Sequence, residues 1–322
     1  MMFKQGKWLV FLIFILVVGC KDSDNSDSDD LDAMQREEIE TFISDNELEA
    51  TRDDDGFYYI VVQENPDGRS QSEGTILSIY YRMSTLGGDE IAFYIADNGD
   101  PLRLNQGANA VFPVGLDLGL DLMREGETYR FLLPTSLAFQ GIEFSSLITA
   151  TTIIDLEVEL VLIENEDDIL AAEIVDIEDY ILTNELNDLD ANPVDSVEVR
   201  GSELRYKRIV EGDSTSSPGG LVSITYTGTF LNGNQFDAVA GGDSFDFQLG
   251  GGEIISGLDE GVSIMDTGER ALFIIPSSLA YAESVRVIPD FITEELITRQ
   301  VIPDYVARVA PYQVLVFDVR LQ

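Results

Sequence analysis

Residues 224–265 read ITYTGTFLNGNQFDAVAGGDSFDFQLGGGEIISGLDEGVSIM, and the alternation within them decides the fold. Ile224-Thr225-Tyr226-Thr227-Gly228, Gln235-Phe236-Asp237 and Phe245-Asp246-Phe247-Gln248 are β-branched or aromatic runs. The turn signals Asn232-Gly233 and Gly241-Gly242 separate them, which marks short strands. From Gly257 the pattern changes, and Leu258, Val262 and Met265 fall on one face of a short helix. Many short strands with one short helix make an α+β unit. Two later stretches complete it: Ile275-Pro276-Ser277-Ser278-Leu279-Ala280-Tyr281 and Leu315-Val316-Phe317-Asp318-Val319. Within this span Asp237 stands directly after Phe236. A plain core uses the aromatics but has no use for a carboxylate beside Phe236.

The chain has 322 residues, the length of about two domains. It contains no histidine and one cysteine, Cys20. Histidine-dependent nucleophiles, general bases and metal sites are thereby excluded, as are intrachain disulfides and thiolate clusters. The chemistry left is that of carboxylates, hydroxyls, backbone groups and a dry pocket, so no cofactor or metal is expected. A formal net charge of −41 repels phosphate, which excludes nucleic acid as a partner. The same charge makes attachment to a membrane depend on a covalent anchor.

Such an anchor is written at the N-terminus. Lys4 and Lys7 precede an apolar run from Trp8 to Val18, which ends Val17-Val18-Gly19-Cys20. A basic start, a short apolar core and a small residue describe a secretory signal. The run is shorter than the roughly 20 residues a membrane span requires. A cysteine directly behind the small residue resembles the bacterial lipoprotein signal. That resemblance implies removal of residues 1–19, lipidation of Cys20 and an outer-membrane lipoprotein facing the periplasm or the cell surface. Residues 20–34 include KDSDNSDSDDLD, polar, acidic and without apolar periodicity, and are expected to form a disordered tether. Asp22, Asp24 and Asp27 alternate with small polar residues, but the turn glycine and closing glutamate of an EF-hand calcium loop are absent. An acidic stretch after a lipidated cysteine also resembles the surface-export signals of the Bacteroidota.

The remainder repeats itself. Ile39-Glu40-Thr41-Phe42-Ile43 is answered by Ile177-Glu178-Asp179-Tyr180-Ile181, and Asn46-Glu47-Leu48 by Asn184-Glu185-Leu186. Each pair predicts a short amphipathic entry helix. Phe57–Val62 and Leu204–Val210 then read as strands. Gly115-Leu116-Asp117-Leu118-Gly119 parallels Gly257-Leu258-Asp259-Glu260-Gly261, and Leu133–Phe139 parallels Ile275–Tyr281. Two globular domains are expected, at 35–165 and 170–322, joined by the acidic stretch from Glu164 to Asp168.

The ordered set in the second copy resembles the FKBP-type peptidyl-prolyl cis/trans isomerases. The resemblance implies two domains, each an antiparallel sheet curled around a short central helix, with a ligand pocket between helix and sheet. It implies that Tyr226, Phe245, Ile254, Ile255, Leu258 and Phe317 enclose a prolyl ring, with Phe236 as a further wall. Asp237 matches the acid at the pocket rim, and Tyr281 a phenol that bonds a substrate carbonyl. The Ile255 N–H matches a second donor, and Glu253 offers its backbone carbonyl. The partners implied are proline-containing segments of exported proteins. Three departures stand out. Leu258 replaces a frequent tryptophan at the pocket floor. Residues 238–242 provide no arginine for Asp237, and the loop from Ser284 to Pro311 is longer than the family's flap.

The first copy keeps the glycines and Pro134 but not the chemical groups. Tyr81 is followed by Arg82-Met83, and no acid stands in Ile91-Ala92-Phe93-Tyr94-Ile95. Pro113 replaces Ile255 and lacks an N–H, Phe139 replaces Tyr281, and Leu156 replaces Phe317. It reads as a folded, inactive copy. The rival functional reading is a peptide-binding, chaperone-like lipoprotein that holds hydrophobic segments without catalysis. A glycan-binding surface protein fits poorly, because the sole tryptophan, Trp8, lies inside the signal.

Overall fold

Strand Glu127–Leu133 shows why each repeat folds in layers. Tyr129, Phe131 and Leu133 point into one apolar cluster, whereas Leu132 points into another on the opposite face. Arg270–Ile275 does the same with Phe273 and Ile275 on one side and Ile274 on the other. A period of two sends alternate side chains to opposite faces, so one sheet feeds two cores. A computed structural model describes residues 24–72, 74–107, 110–187, 196–215, 220–282, 284–302 and 308–322.

The N-terminal repeat contains α1 (Asp24–Asp45), β1 (Thr51–Arg52), β2 (Tyr58–Gln63), β3 (Ile76–Thr85), β4 (Glu90–Tyr94), β5 (Leu102–Asn105), β6 (Val111–Phe112), α2 (Val114–Leu120), β7 (Glu127–Leu133) and β8 (Ile154–Glu164). The C-terminal repeat contains α3 (Glu166–Thr183), β9 (Glu198–Val199), β10 (Arg205–Val210), β11 (Ser214–Thr215), β12 (Leu221–Phe230), β13 (Gln235–Val239), β14 (Phe245–Gln248), α4 (Ser256–Ser263), β15 (Asp266–Thr267), β16 (Arg270–Ile275), β17 (Arg286–Val287), α5 (Thr293–Thr298) and β18 (Leu315–Leu321). The first sheet runs β1-β2-β7-β8-β3-β4, with β5 also on β3. The second runs β9-β10-β16-β18-β12-β13, with β14 also on β12, and both are antiparallel. Strand by strand the two orders are the same. This is the expected α+β architecture, built twice.

The repeated sequence words acquire physical meaning here. Gly115 and Gly119 let α2 lie close on its sheet: a Cβ at Gly119 would sit 2.6 Å from the Phe131 ring. Gly261 stands in the same relation to Phe273, at 2.7 Å. Asn46-Glu47-Leu48 and Asn184-Glu185-Leu186 are helix stops. Glu47 and Glu185 both take a φ of 52°, and the N–H of the following leucine reaches back five residues, to Ile43 and Ile181. Gln35 on α1 accepts the Thr135 N–H at 2.9 Å, and Glu173 on α3 accepts the Ser277 N–H at 2.9 Å. Each entry helix is thus pinned to the turn after the strand it covers.

Two expectations are corrected. The disordered tether assigned to 20–34 is helical from Asp24, where α1 begins. Its first turns are acidic, and acids are favoured at the positive end of a helix dipole. The lipidation candidate Cys20 and the signal 1–19 lie outside the described residues. The second correction concerns the domain bounds. The chain divides at Asn165/Glu166, but Val285–Ala307 group with the N-terminal unit rather than with a continuous 170–322 domain. The apolar Val287, Ile288, Ile292 and Leu296 bury themselves in the N-terminal core, which outweighs their place in the sequence.

Candidate functional site

Within the C-terminal unit, β12 and β18 run side by side and place Tyr226 and Phe317 on one face. Their rings lie 5.7 Å apart. Phe236 on β13 meets Phe317 edge-on at 5.6 Å and an 82° tilt, and Phe230 at 5.1 Å. This approach depends on Gly228, because a Cβ there would come within 2.7 Å of the Phe236 ring. Ile254, Ile255 and Leu258 close the same cluster from the α4 side. Phe245 and Tyr281 are only half-buried against it. Ile255 caps α4, and its carbonyl accepts from Leu258 and Asp259 at 3.1 Å each. Among the described residues its N–H has no backbone acceptor.

The acid sits where the aromatic wall meets the rim. Asp237 Oδ2 accepts the Tyr226 hydroxyl at 2.7 Å, and Oδ1 accepts the Ala238 N–H at 2.9 Å. Arg308 Nη1 reaches the same Oδ1 at 3.2 Å. Burial, and then the bond to Asp237, push the Tyr226 phenol well above its ordinary value, with Arg308 opposing the shift. The phenol therefore stays protonated, a donor held in place. Nothing in this arrangement is a nucleophile, and among the described residues no group of acids could hold a metal. What it offers is an apolar aromatic cluster with an ordered Tyr226–Asp237–Arg308 network at its edge.

The family model of the FKBP-type peptidyl-prolyl cis-trans isomerases matches residues 212–322. FK506-binding protein 1 of Saccharomyces cerevisiae is 40% identical over 87 residues, which are 26% of this chain and 76% of that protein. The chain belongs to the FKBP-type peptidyl-prolyl cis-trans isomerase family. FK506-binding protein 2 of Dictyostelium discoideum is 47% identical over 66 residues, and there the chain spans only 50% of the relative. Among solved structures, the three FKBP domains of wheat FKBP73 are 16% identical, with 83% of this chain and 94% of that one covered and a TM-score of 0.31.

Most of the residues expected of an FKBP-type site come together: Tyr226, Phe236, Asp237, Phe245, Ile254, Ile255, Leu258, Tyr281 and Phe317 share or border one cluster. Glu253 stands apart in its side chain, which accepts the Gln248 N–H at 3.4 Å and leaves its role to the backbone. The expectation that Asp237 lacks an arginine needs correcting, since Arg308 fills that place. Seventy-one residues separate the two in the chain, and only the fold joins them. Gly228 was also invisible as a site residue, although Arg82-Met83 in the first copy marked the place where the copies part.

Strand register aligns the first repeat with the second. Tyr81 and Tyr226 pair with Val158 and Val319, while Met83 and Gly228 pair with Leu156 and Phe317. On the adjoining strand Ala92 faces Met83 as Asp237 faces Gly228. Ala92 thus occupies the acid's position, and Met83 fills space that Gly228 leaves to Phe236. Pro113 caps α2 as Ile255 caps α4, but brings no N–H.

Proposed function

We propose that the C-terminal unit is a prolyl cis/trans isomerase site acting without covalent chemistry on proline-containing segments of exported proteins. The observation that carries this reading is the Tyr226–Asp237–Arg308 network at the edge of a cup walled by Phe236 and Phe317. Rotation about the bond before proline breaks amide resonance, at a cost of about 18–20 kcal/mol. The twisted amide carries less charge on its oxygen and is solvated less well by water than the planar one. A dry cup therefore disfavours the planar form more than the twisted one. Lowering a barrier of roughly 20 kcal/mol to roughly 14 raises the rate from about 0.01 to a few hundred per second. Asp237 orients the Tyr226 hydroxyl and moves no proton. The Tyr281 hydroxyl and the Ile255 N–H hold carbonyls on either side of the turning bond.

The direct test is the cis-to-trans rate of a Phe-Pro peptide, with Asp237→Ala and Tyr281→Phe alongside. A wild-type rate equal to background, or variants as fast as wild type, would remove the proposal. The second reading, a peptide-holding chaperone, draws on Leu258, which is smaller than the family's frequent tryptophan and widens the floor. Suppression of client aggregation that survives Asp237→Ala, with no isomerisation in wild type, would favour it. The proposed location is the outer membrane, with the mature chain anchored through Cys20. Among the described residues no helix is long and apolar enough to cross a membrane. Incorporation of labelled fatty acid, lost in Cys20→Ser, tests the anchor.

A further inference from the structure

In the first repeat Tyr81, Phe112, Leu116, Phe139 and Leu156 hold the places of Tyr226, Ile254, Leu258, Tyr281 and Phe317. Their surroundings differ. Phe139 is buried at 2% exposure, whereas its counterpart Tyr281 is only partly buried. Phe112 and Phe144 of the same repeat pack against the Phe139 ring, and residues 285–302 join the same cluster. Val287, Ile288, Ile292, Leu296 and Ile302 are buried in one cluster with those five residues.

The attachment is specific as well as apolar. β17 pairs in parallel with β6, Arg286 with Val111 and Val287 with Phe112. The Arg286 N–H donates to the Ala110 carbonyl at 2.9 Å and the Ile288 N–H to the Phe112 carbonyl at 2.8 Å. The Arg286 guanidinium gives two bonds to the Arg103 carbonyl, at 3.1 and 2.9 Å. Burial lowers Arg286 to about 10, countered by Tyr94, Tyr81 and Asp290 around it. Burial, and then Asp290, raise Tyr81, with Arg286 opposing. The segment thus places the charges of Asp290 and Arg286 near Tyr81. The first repeat's own strand has Ala92 in the position of Asp237.

We infer that the hollow of the first repeat is a receptor for this chain's own proline-containing segment 285–302, and that it offers no site to client peptides. Docking accounts for three features together: the loss of the acid at Ala92, the loss of a donor at Pro113, and the length of the loop after Tyr281. The inference depends on the geometry of the first repeat and not on isomerase activity.

Hydrogen exchange on the full-length protein, read by mass spectrometry, tests it without reference to catalysis. The amides of Arg286 and Ile288 are expected to exchange at least about 100-fold more slowly than the exposed turn at Gly87-Gly88. Exchange as fast as that turn would overturn the inference. Ile288→Asp combined with Leu296→Asp should raise exchange across 285–302 and 110–113 by about 10-fold or more, whereas Phe291→Asp, at a position 53% exposed, should not. Equal effects from both would also overturn it. A photoreactive proline-containing peptide offered to the wild-type chain covers the case in which the double variant fails to fold. Adducts on residues 76–156 would contradict the inference, and their absence there supports it.

Discussion

One sheet order serves both halves of this chain, yet the hollow between helix and sheet ends differently in each. In the C-terminal half a glycine, Gly228, makes room for Phe236, and Asp237 stands beside it with Tyr226 and Arg308 attached. In the N-terminal half Met83 and Ala92 take those two places, and residues 285–302 lie across the result. What is common to the halves is what the fold requires: the helix glycines, the proline turn and the pinned entry helix. What differs is what a bound peptide would touch. A duplicated scaffold can keep its packing and lose its chemistry, because the two depend on different side chains.

Converting one half toward the other is the sharpest way to break this comparison. Gly228→Met imposes the first copy's residue on the second; the Phe236 ring must move, and the isomerisation rate should fall about 100-fold. Asp237→Ala leaves the Tyr226 hydroxyl without this acceptor and removes the Asp237 carboxylate from Arg308, and kcat/KM should drop about 10- to 100-fold. Tyr281→Phe copies the first repeat's Phe139 and removes one rim donor, for a loss of about 2- to 10-fold. All three are read with a Phe-Pro peptide, and circular dichroism checks that the fold persists.

Three further tests expect smaller or no change. With no histidine in the chain, the isomerisation rate should stay flat between about pH 6 and 9. In the N-terminal half burial raises Tyr81 and Tyr129 from 10.0 to about 12 each, so the folded state keeps protons that the unfolded chain would release. That stability is fully present below about pH 10 and is lost as the pH rises toward 12, so the urea midpoint should decline over that window. Finally, Ala92→Asp with Pro113→Ile, placed in an Asp237→Ala background, should restore no activity. The first hollow would regain an acid and an N–H and still be covered.

Much of this was legible in the residues. Alternating strands, the Gly-Leu-Asp words and the Asn-Glu-Leu stops are local patterns, and local patterns survive translation into structure. The aromatic cup around Asp237 was legible for the same reason: its parts sit on neighbouring strands in chain order. Arg308 was not, because a pairing across 71 residues leaves no mark on spacing. The fate of residues 285–302 was hidden too. Val287, Ile288, Ile292 and Leu296 announce burial, but no periodicity says in which core they will be buried. The helix from Asp24 was missed because composition alone favours disorder there, and the dipole's preference for acids at its first turn runs the other way.

The placement of residues 285–302 also bears on how the protein is made. A ribosome delivers the chain from its N-terminus, and a domain generally folds as soon as it is complete. Here the first repeat lacks part of its own interior until Ile302 has been synthesised. Until then that part of the core is incomplete, and a nascent chain in that condition is a natural customer for a holdase.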